Sequence, residues 1–215
     1  MMSVFGSIAD ALYNGDADLV ADLTKQALGN GIPPGTILSD GLNRGMDAVG
    51  VDFKTGVLFV PEVLVAAQAM KAGMRLLEPF LTGSGAVQLL GCLVIGTVQG
   101  DLHDIGKNLV VMMMEGAGFK VHDLGTDVPP ESFVEVVKRE KANLVGMSAL
   151  LTTTMPMMKT TIEALAEAGL RDGVRVMVGG ASVTRKYASD IGADGYAPDA
   201  ASAVDEAKKL LALRN

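Results

Sequence analysis

The sequence predicts a chain in two parts, an all-helical bundle followed by an open α/β domain with a parallel sheet. Two observations predict it. Residues 3 to 82 show only helical periodicity, whereas beyond residue 86 short apolar runs alternate with helical patterns. Between them lies Thr82-Gly83-Ser84-Gly85-Ala86, small residues of linker composition. The expected domains are residues 1–84 and 85–215.

Ser3 suits the N-cap of a first helix that ends at Tyr13, before Asn14-Gly15. Asp16 suits the cap of a second, to about Leu28, with Leu19, Val20, Leu23 and Ala27 on its apolar face. Pro33-Pro34 restarts the chain. A third helix carries Ile37, Leu38, Leu42, Met46 and Val49, and Lys54-Thr55-Gly56 interrupts it. A fourth runs from about Pro61 to Leu81, with Val63, Leu64, Ala67, Met70, Met74 and Leu77 on one stripe. Short connections make these four an antiparallel bundle.

Strand-like runs follow at 89–98, 119–123, 143–148, 174–178 and 194–197. Helical patterns separate them at 105–117, 130–140, 154–168, 183–190 and 199–213. Five strands with right-handed crossovers predict a flavodoxin-like, doubly wound (Rossmann-like) five-stranded parallel sheet, with its ligand at the carboxyl ends of the strands.

The 215 residues are 49% hydrophobic, enough for a core without disulfides, and the lone Cys92 cannot form an internal one. Net charge is −7, which opposes binding to nucleic acid. The N-terminus lacks the basic and apolar regions of a signal peptide, and no apolar run is long enough to span a bilayer. A cytoplasmic protein is expected.

Chemistry-bearing residues gather at the predicted strand ends. The first strand runs into Gly100-Asp101-Leu102-His103-Asp104-Ile105-Gly106, which holds one of only two histidines. An imidazole flanked by carboxylates there suggests a metal ligand with its own supporting acceptor. The third strand ends in Ser148-Ala149-Leu150-Leu151-Thr152-Thr153-Thr154, the fourth at Gly179-Gly180, the fifth before Ala200. Hydroxyls supply donors and acceptors, and the glycines leave room between sheet and helix. The rim thus predicts a slot for a long, mostly neutral ligand with a metal at its mouth.

Asp101-x-His103-x-x-Gly106, then Ser148-x-Leu150, then Gly179-Gly180 resembles the signature of cobalamin-binding domains. Phe59-Val60-Pro61-Glu62-Val63 and Leu77-Glu78-Pro79-Phe80 resemble the cap domain that precedes the corrinoid domain in methionine synthase. The same pairing makes up the free-standing corrinoid proteins of methanol, methylamine and glycine-betaine methyltransferase systems. The resemblance implies cobalamin (methylcobalamin and its Co(I) form) bound without its own base on cobalt. It implies His103 as the cobalt ligand, Asp101 as the imidazole's acceptor, and Thr154 as the hydroxyl that continues the relay, where methionine synthase has serine. It implies contacts to the cofactor from Gly100, Asp101, Leu102, His103, Asp104, Ile105 and Gly106. The nucleotide tail would pass Ser148, Leu150 and Thr152, with Gly179 and Gly180 lining the passage and Ala200 near its buried end. Phe53 and Val60 would cover the upper face of the ring.

The implied function is a methyl carrier, a component without a complete active site of its own. It would work between a substrate-specific corrinoid methyltransferase and a second methyltransferase acting on tetrahydrofolate or a thiol, with a reductive activator as a further partner and neither nucleic acid nor membrane. Other readings stand beside it: the cobalamin subunit of a radical mutase, or a cobalamin-dependent sensor. Residue by residue, His103, His122, Asp101 and Asp123 could instead hold zinc. Ser148 and Thr152 could cap the next helix, Gly179-Gly180 could be a turn, Phe53 and Val60 could be bundle core, and Met112-Met113-Met114 reads as core.

Overall fold

The first helix, α1 (Val4–Tyr13), starts where the Ser3 hydroxyl accepts the Gly6 N–H at 3.2 Å. The second, α2 (Ala17–Gly29), starts where Asp16 Oδ1 accepts the Leu19 N–H at 3.0 Å. Each cap satisfies a donor that the first helical turn leaves open. The structure, a computed structural model, describes residues 3–81 and 90–212, so the expected linker Thr82–Ala86 lies outside the described residues.

The expected third helix is composite: a short turn α3 (Pro34–Thr36), a π-helical stretch (Ile37–Asn43) and α4 (Arg44–Lys54). The wider i→i+5 turn keeps residues four apart on one face, so Ile37, Gly41 and Gly45 are buried alongside Leu38, Leu42 and Met46. A Cβ at Gly45 would lie 2.9 Å from the Ala9 carbonyl oxygen, so the glycine lets α1 approach closely. The last helix of this half is α5 (Val60–Leu81), with Val63, Ala67, Met70 and Leu77 buried. Such burial contributes roughly 2 kcal/mol for each large side chain. On α2 the core face is Val20, Thr24 and Ala27, whereas Leu19, expected inside, is 45% exposed.

The other half is a sheet of β1 (Cys92–Thr97), β2 (Lys120–Asp123), β3 (Leu144–Ser148), β4 (Arg175–Gly179) and β5 (Gly195–Ala197). All neighbours pair in parallel, in the order β2-β1-β3-β4-β5. The connecting helices are α6 (Ile105–Gly116), α7 (Pro130–Glu140), α8 (Pro156–Glu167) and α9 (Arg185–Asp190), and α10 (Ala200–Ala212) follows β5. Strands β1 and β3 are central and almost wholly buried, which explains their continuous apolar runs. Edge strand β2 is half exposed and keeps Lys120 and Asp123.

The chain divides into two compact units, Met1–Gln88 with Gly116–Gly118, and Leu89–Glu115 with Phe119–Asn215. Among the described residues no helix is long and apolar enough to cross a membrane.

Candidate functional site

The register of the sheet sets out the rim. Thr97 pairs with Ser148, Ser148 with Gly179, and Gly179 with Ala197, so these four strand-terminal residues form one row. Beyond β1 the Asp101 N–H returns to the Val98 carbonyl at 3.1 Å, and Gly100 makes the bend with a φ of +83°. The Thr97 hydroxyl, fully buried, bonds the His103 carbonyl at 2.9 Å and holds the far end of the loop.

Asp101 lies at the centre, with no exposed surface. Its Oδ1 is 2.7 Å from His103 Nδ1 and accepts the His103 N–H at 3.1 Å. Its Oδ2 accepts the Thr154 hydroxyl at 2.7 Å and the N–H groups of Leu150 at 2.8 Å and Leu151 at 3.2 Å. Burial alone would raise the carboxyl's pKa. The hydrogen bonds from His103, Thr154 and the backbone outweigh it and hold the group well below the ordinary carboxylate range. An ionised carboxylate only accepts, so Nδ1 of the imidazole donates to it, and in the neutral ring the lone pair is on Nε2.

That ring is 52% exposed, and Nε2 has no partner among the described residues. Apolar side chains beside it in sequence, Leu102 (73% exposed) and Ile105 (80%), remain uncovered, as do Leu150 and Leu151, whose N–H groups bond Asp101. Gly106 sits in the first turn of α6, where glycine costs about 1 kcal/mol relative to alanine. A Cβ there would meet nothing within 4 Å, so no neighbouring protein atom demands the glycine. A fixed imidazole with a free nitrogen, an uncovered apolar rim and a needlessly bare helix turn fit a broad, mostly apolar ring with a metal at its centre.

The structure thus brings together Gly100, Asp101, Leu102, His103, Ile105, Gly106, Leu150 and Thr154. Asp104 precedes α6: its carbonyl accepts the Asn108 N–H at 2.7 Å and its Oδ2 the Asn108 side chain at 3.1 Å. Helix α8 has no side-chain cap, which removes the capping role open to Ser148 and Thr152. Ser148 is half-buried in the row and Thr152 is exposed in the following turn.

The double glycine has a reason within the protein. A Cβ at Gly179 would lie 2.8 Å from the Ala197 carbonyl oxygen, and one at Gly180 would overlap the Ala149 carbonyl. Gly180 also has a φ of +120°. Ala200 is buried in the first turn of α10. In the helical unit Phe53 is partly buried near the end of α4. Val60 is 39% exposed at the start of α5, beside the more exposed Val57 and Phe59, so it is not bundle core.

Three polar groups near the rim have roles that the sequence alone does not assign. The strand run hides Thr97, and Ser182 gives its hydroxyl to the Leu150 carbonyl across 32 residues of chain. Lys107 is buried, with Nζ on Asp123 Oδ2 and on Asn108 Oδ1 (2.7 Å). Only the strand-end hydroxyl of Thr97 follows a pattern that could have been sought. The zinc reading fails on geometry: Asp123 holds Lys107, and His122 faces Glu140 at 3.1 Å. Among the described residues no three His, Cys, Asp or Glu side chains gather for a metal.

Residues 91–205 match the family model of the B12 binding domain, and residues 4–78 match a second B12 binding domain model. A dimethylamine corrinoid protein of Methanosarcina barkeri is 47% identical over 205 residues, 95% of this chain and 96% of that one. The crystal structure of a methanol:cobalamin methyltransferase complex from Methanosarcina barkeri contains a chain with a TM-score of 0.86 and 32% identity, covering 97% of this chain and 80% of that one. A cobalamin-binding protein from Desulfitobacterium hafniense DCB-2 gives a TM-score of 0.80 at 30% identity, covering 97% and 98%. The fold is that of a two-part B12-binding protein. The chain belongs to the family of corrinoid proteins associated with methyltransferase systems.

Proposed function

We propose that this corrinoid protein carries methyl groups, with His103 as the protein ligand to cobalt. The supporting observation is the imidazole anchored through Nδ1 to a buried, ionised Asp101 while Nε2 stays open at an apolar rim. Bound cobalamin supplies a cobalt atom that takes up a methyl group and gives it to a nucleophile. The chain's own part is to hold and release one nitrogen. Asp101 fixes the tautomer and the direction of the ring; Thr154 and the two N–H groups fix Asp101. Nε2 serves either as ligand or as proton acceptor, and the ionised Asp101 offsets the charge of a doubly protonated ring.

In this reading residues 85–215 bind the cofactor and residues 1–84 are the cap domain, to which Phe53 and Val60 belong. Ser148, Thr152, Gly179, Gly180 and Ala200 border the nucleotide tail. The carrier works in the cytoplasm between a substrate:corrinoid methyltransferase and a second methyltransferase that passes the group to tetrahydrofolate or a thiol, with a reductive activator restoring Co(I). The relative named for dimethylamine favours a methylated amine as donor.

The test is the visible spectrum of the cobalamin-loaded protein. His103→Ala should abolish the histidine-ligated spectrum, at a stability cost of about 1 kcal/mol because it also takes a donor from the buried Asp101 carboxylate. A spectrum that ignores the substitution removes His103 from the metal.

A further inference from the structure

A second carboxylate, Asp127, reaches the loop that carries Asp101 and His103. It lies between β2 and α7 and touches neither the imidazole nor the Asp101 carboxylate. Its Oδ1 accepts the Gly100 N–H at 2.7 Å, and its own N–H donates to the Asp101 carbonyl at 3.0 Å. One residue therefore grips the backbone of two consecutive residues. Around it the segments are laced together: Thr97 N–H to Gly125 carbonyl at 2.9 Å and Val128 N–H to Thr97 carbonyl at 3.0 Å.

The grip has a specific backbone requirement. Asp127 has a φ of +54°, in the left-handed region, which Asp and Asn adopt more readily than other residues with side chains. Gly100 permits the bend after β1 but adds no stiffness of its own. The hydrogen bond from His103 Nδ1 weakens steeply if Asp101 turns away. Thr154 and the Leu150 and Leu151 N–H groups hold the carboxylate from one side, and a hold on the backbone of residues 100 and 101 adds to its aim from the other.

We infer that Asp127 is a positioning residue for His103, acting through Gly100 and Asp101. Its consequence for cobalt rests on the reading of His103 as the metal ligand. Three variants separate the parts. Asp127→Gly keeps the left-handed backbone and removes the acceptor; Asp127→Asn keeps both; Asp127→Ala loses both.

The first readout is solvent exchange of the His103 Nδ1–H by NMR in cobalamin-free protein, assigned with His103→Ala. The second is the histidine-ligated fraction in the visible spectrum of the loaded protein. Asp127→Gly should speed exchange about tenfold and lower the ligated fraction, whereas Asp127→Asn should stay within about twofold of wild type. Asp127→Ala should match or exceed the glycine variant; if it does not fold, the glycine and asparagine pair decides alone. Wild-type exchange in Asp127→Gly overturns the inference, and so does an asparagine variant as fast as the glycine one. If wild-type loaded protein lacks a histidine-ligated spectrum, the reading of His103 fails while the exchange contrast still judges Asp127.

Discussion

The two ends of the rim are built by opposite means. At β1 and β3 the loops are joined by charge: one buried carboxylate gathers two side chains and three backbone N–H groups. At the end of β4 they are joined by absence: Gly179 lets the Ala197 carbonyl of β5, and Gly180 the Ala149 carbonyl beyond β3, close to distances that a Cβ would forbid. The first construction aims a side chain outward, because the carboxylate needs a donor and His103 is one. The second aims nothing and only sets spacing. Chemistry should therefore be tunable at the β1 end and stability fragile at the β4 end.

The largest effect should come from Gly180→Ala. It combines an unfavourable φ with overlap against backbone that cannot rotate away, so a loss of about 4 kcal/mol or more is expected in urea unfolding. A variant of wild-type stability would mean that the β4 end is looser than the β1 end. Asp101→Ala should follow, at about 3 kcal/mol, because it strands several donors around a buried site. That variant should also lose the histidine-ligated spectrum, which a packing defect at Gly180 would not do selectively.

Acid sharpens the contrast. The native Asp101 carboxyl lies below its unfolded value, so its stabilisation is complete above the unfolded carboxylate range, about 3.9, and is lost as pH falls toward the lower native value. The stability gap between wild type and Asp101→Asn should shrink on acidification, and a gap constant with pH would show that Asp101 is not held ionised by its partners. The smallest effect belongs to Thr154→Val, about 1 kcal/mol, with Thr154→Ser close to wild type because it keeps the hydroxyl. Equal losses in the two variants would assign the role of Thr154 to packing.

Much of this was legible in the sequence because it is local. Helix caps at Ser3 and Asp16, apolar stripes on the helices and the strand–helix alternation depend on neighbours within a few residues. The Asp101–His103 pair was legible for the same reason, since two residues of spacing place carboxylate and imidazole side by side. The meaning of the double glycine was only half legible: bareness at 179 and 180 is visible, but the carbonyls that demand it come from residues 197 and 149.

By itself, then, the amino-acid order determined the two-part architecture, the parallel sheet and the positions along the chain where chemistry would collect. Periodicity and capping are short-range properties, and strand ends in such a sheet necessarily share an edge. Only the folded molecule decided that Thr97 and Asp127 hold the histidine loop, that Lys107 is buried against Asp123, and that at Gly106, alone among the motif's glycines, an added Cβ would meet no other part of the protein. Those facts turn on register and loop closure across tens of residues, and pairwise contacts of that range leave no periodic mark in a single sequence.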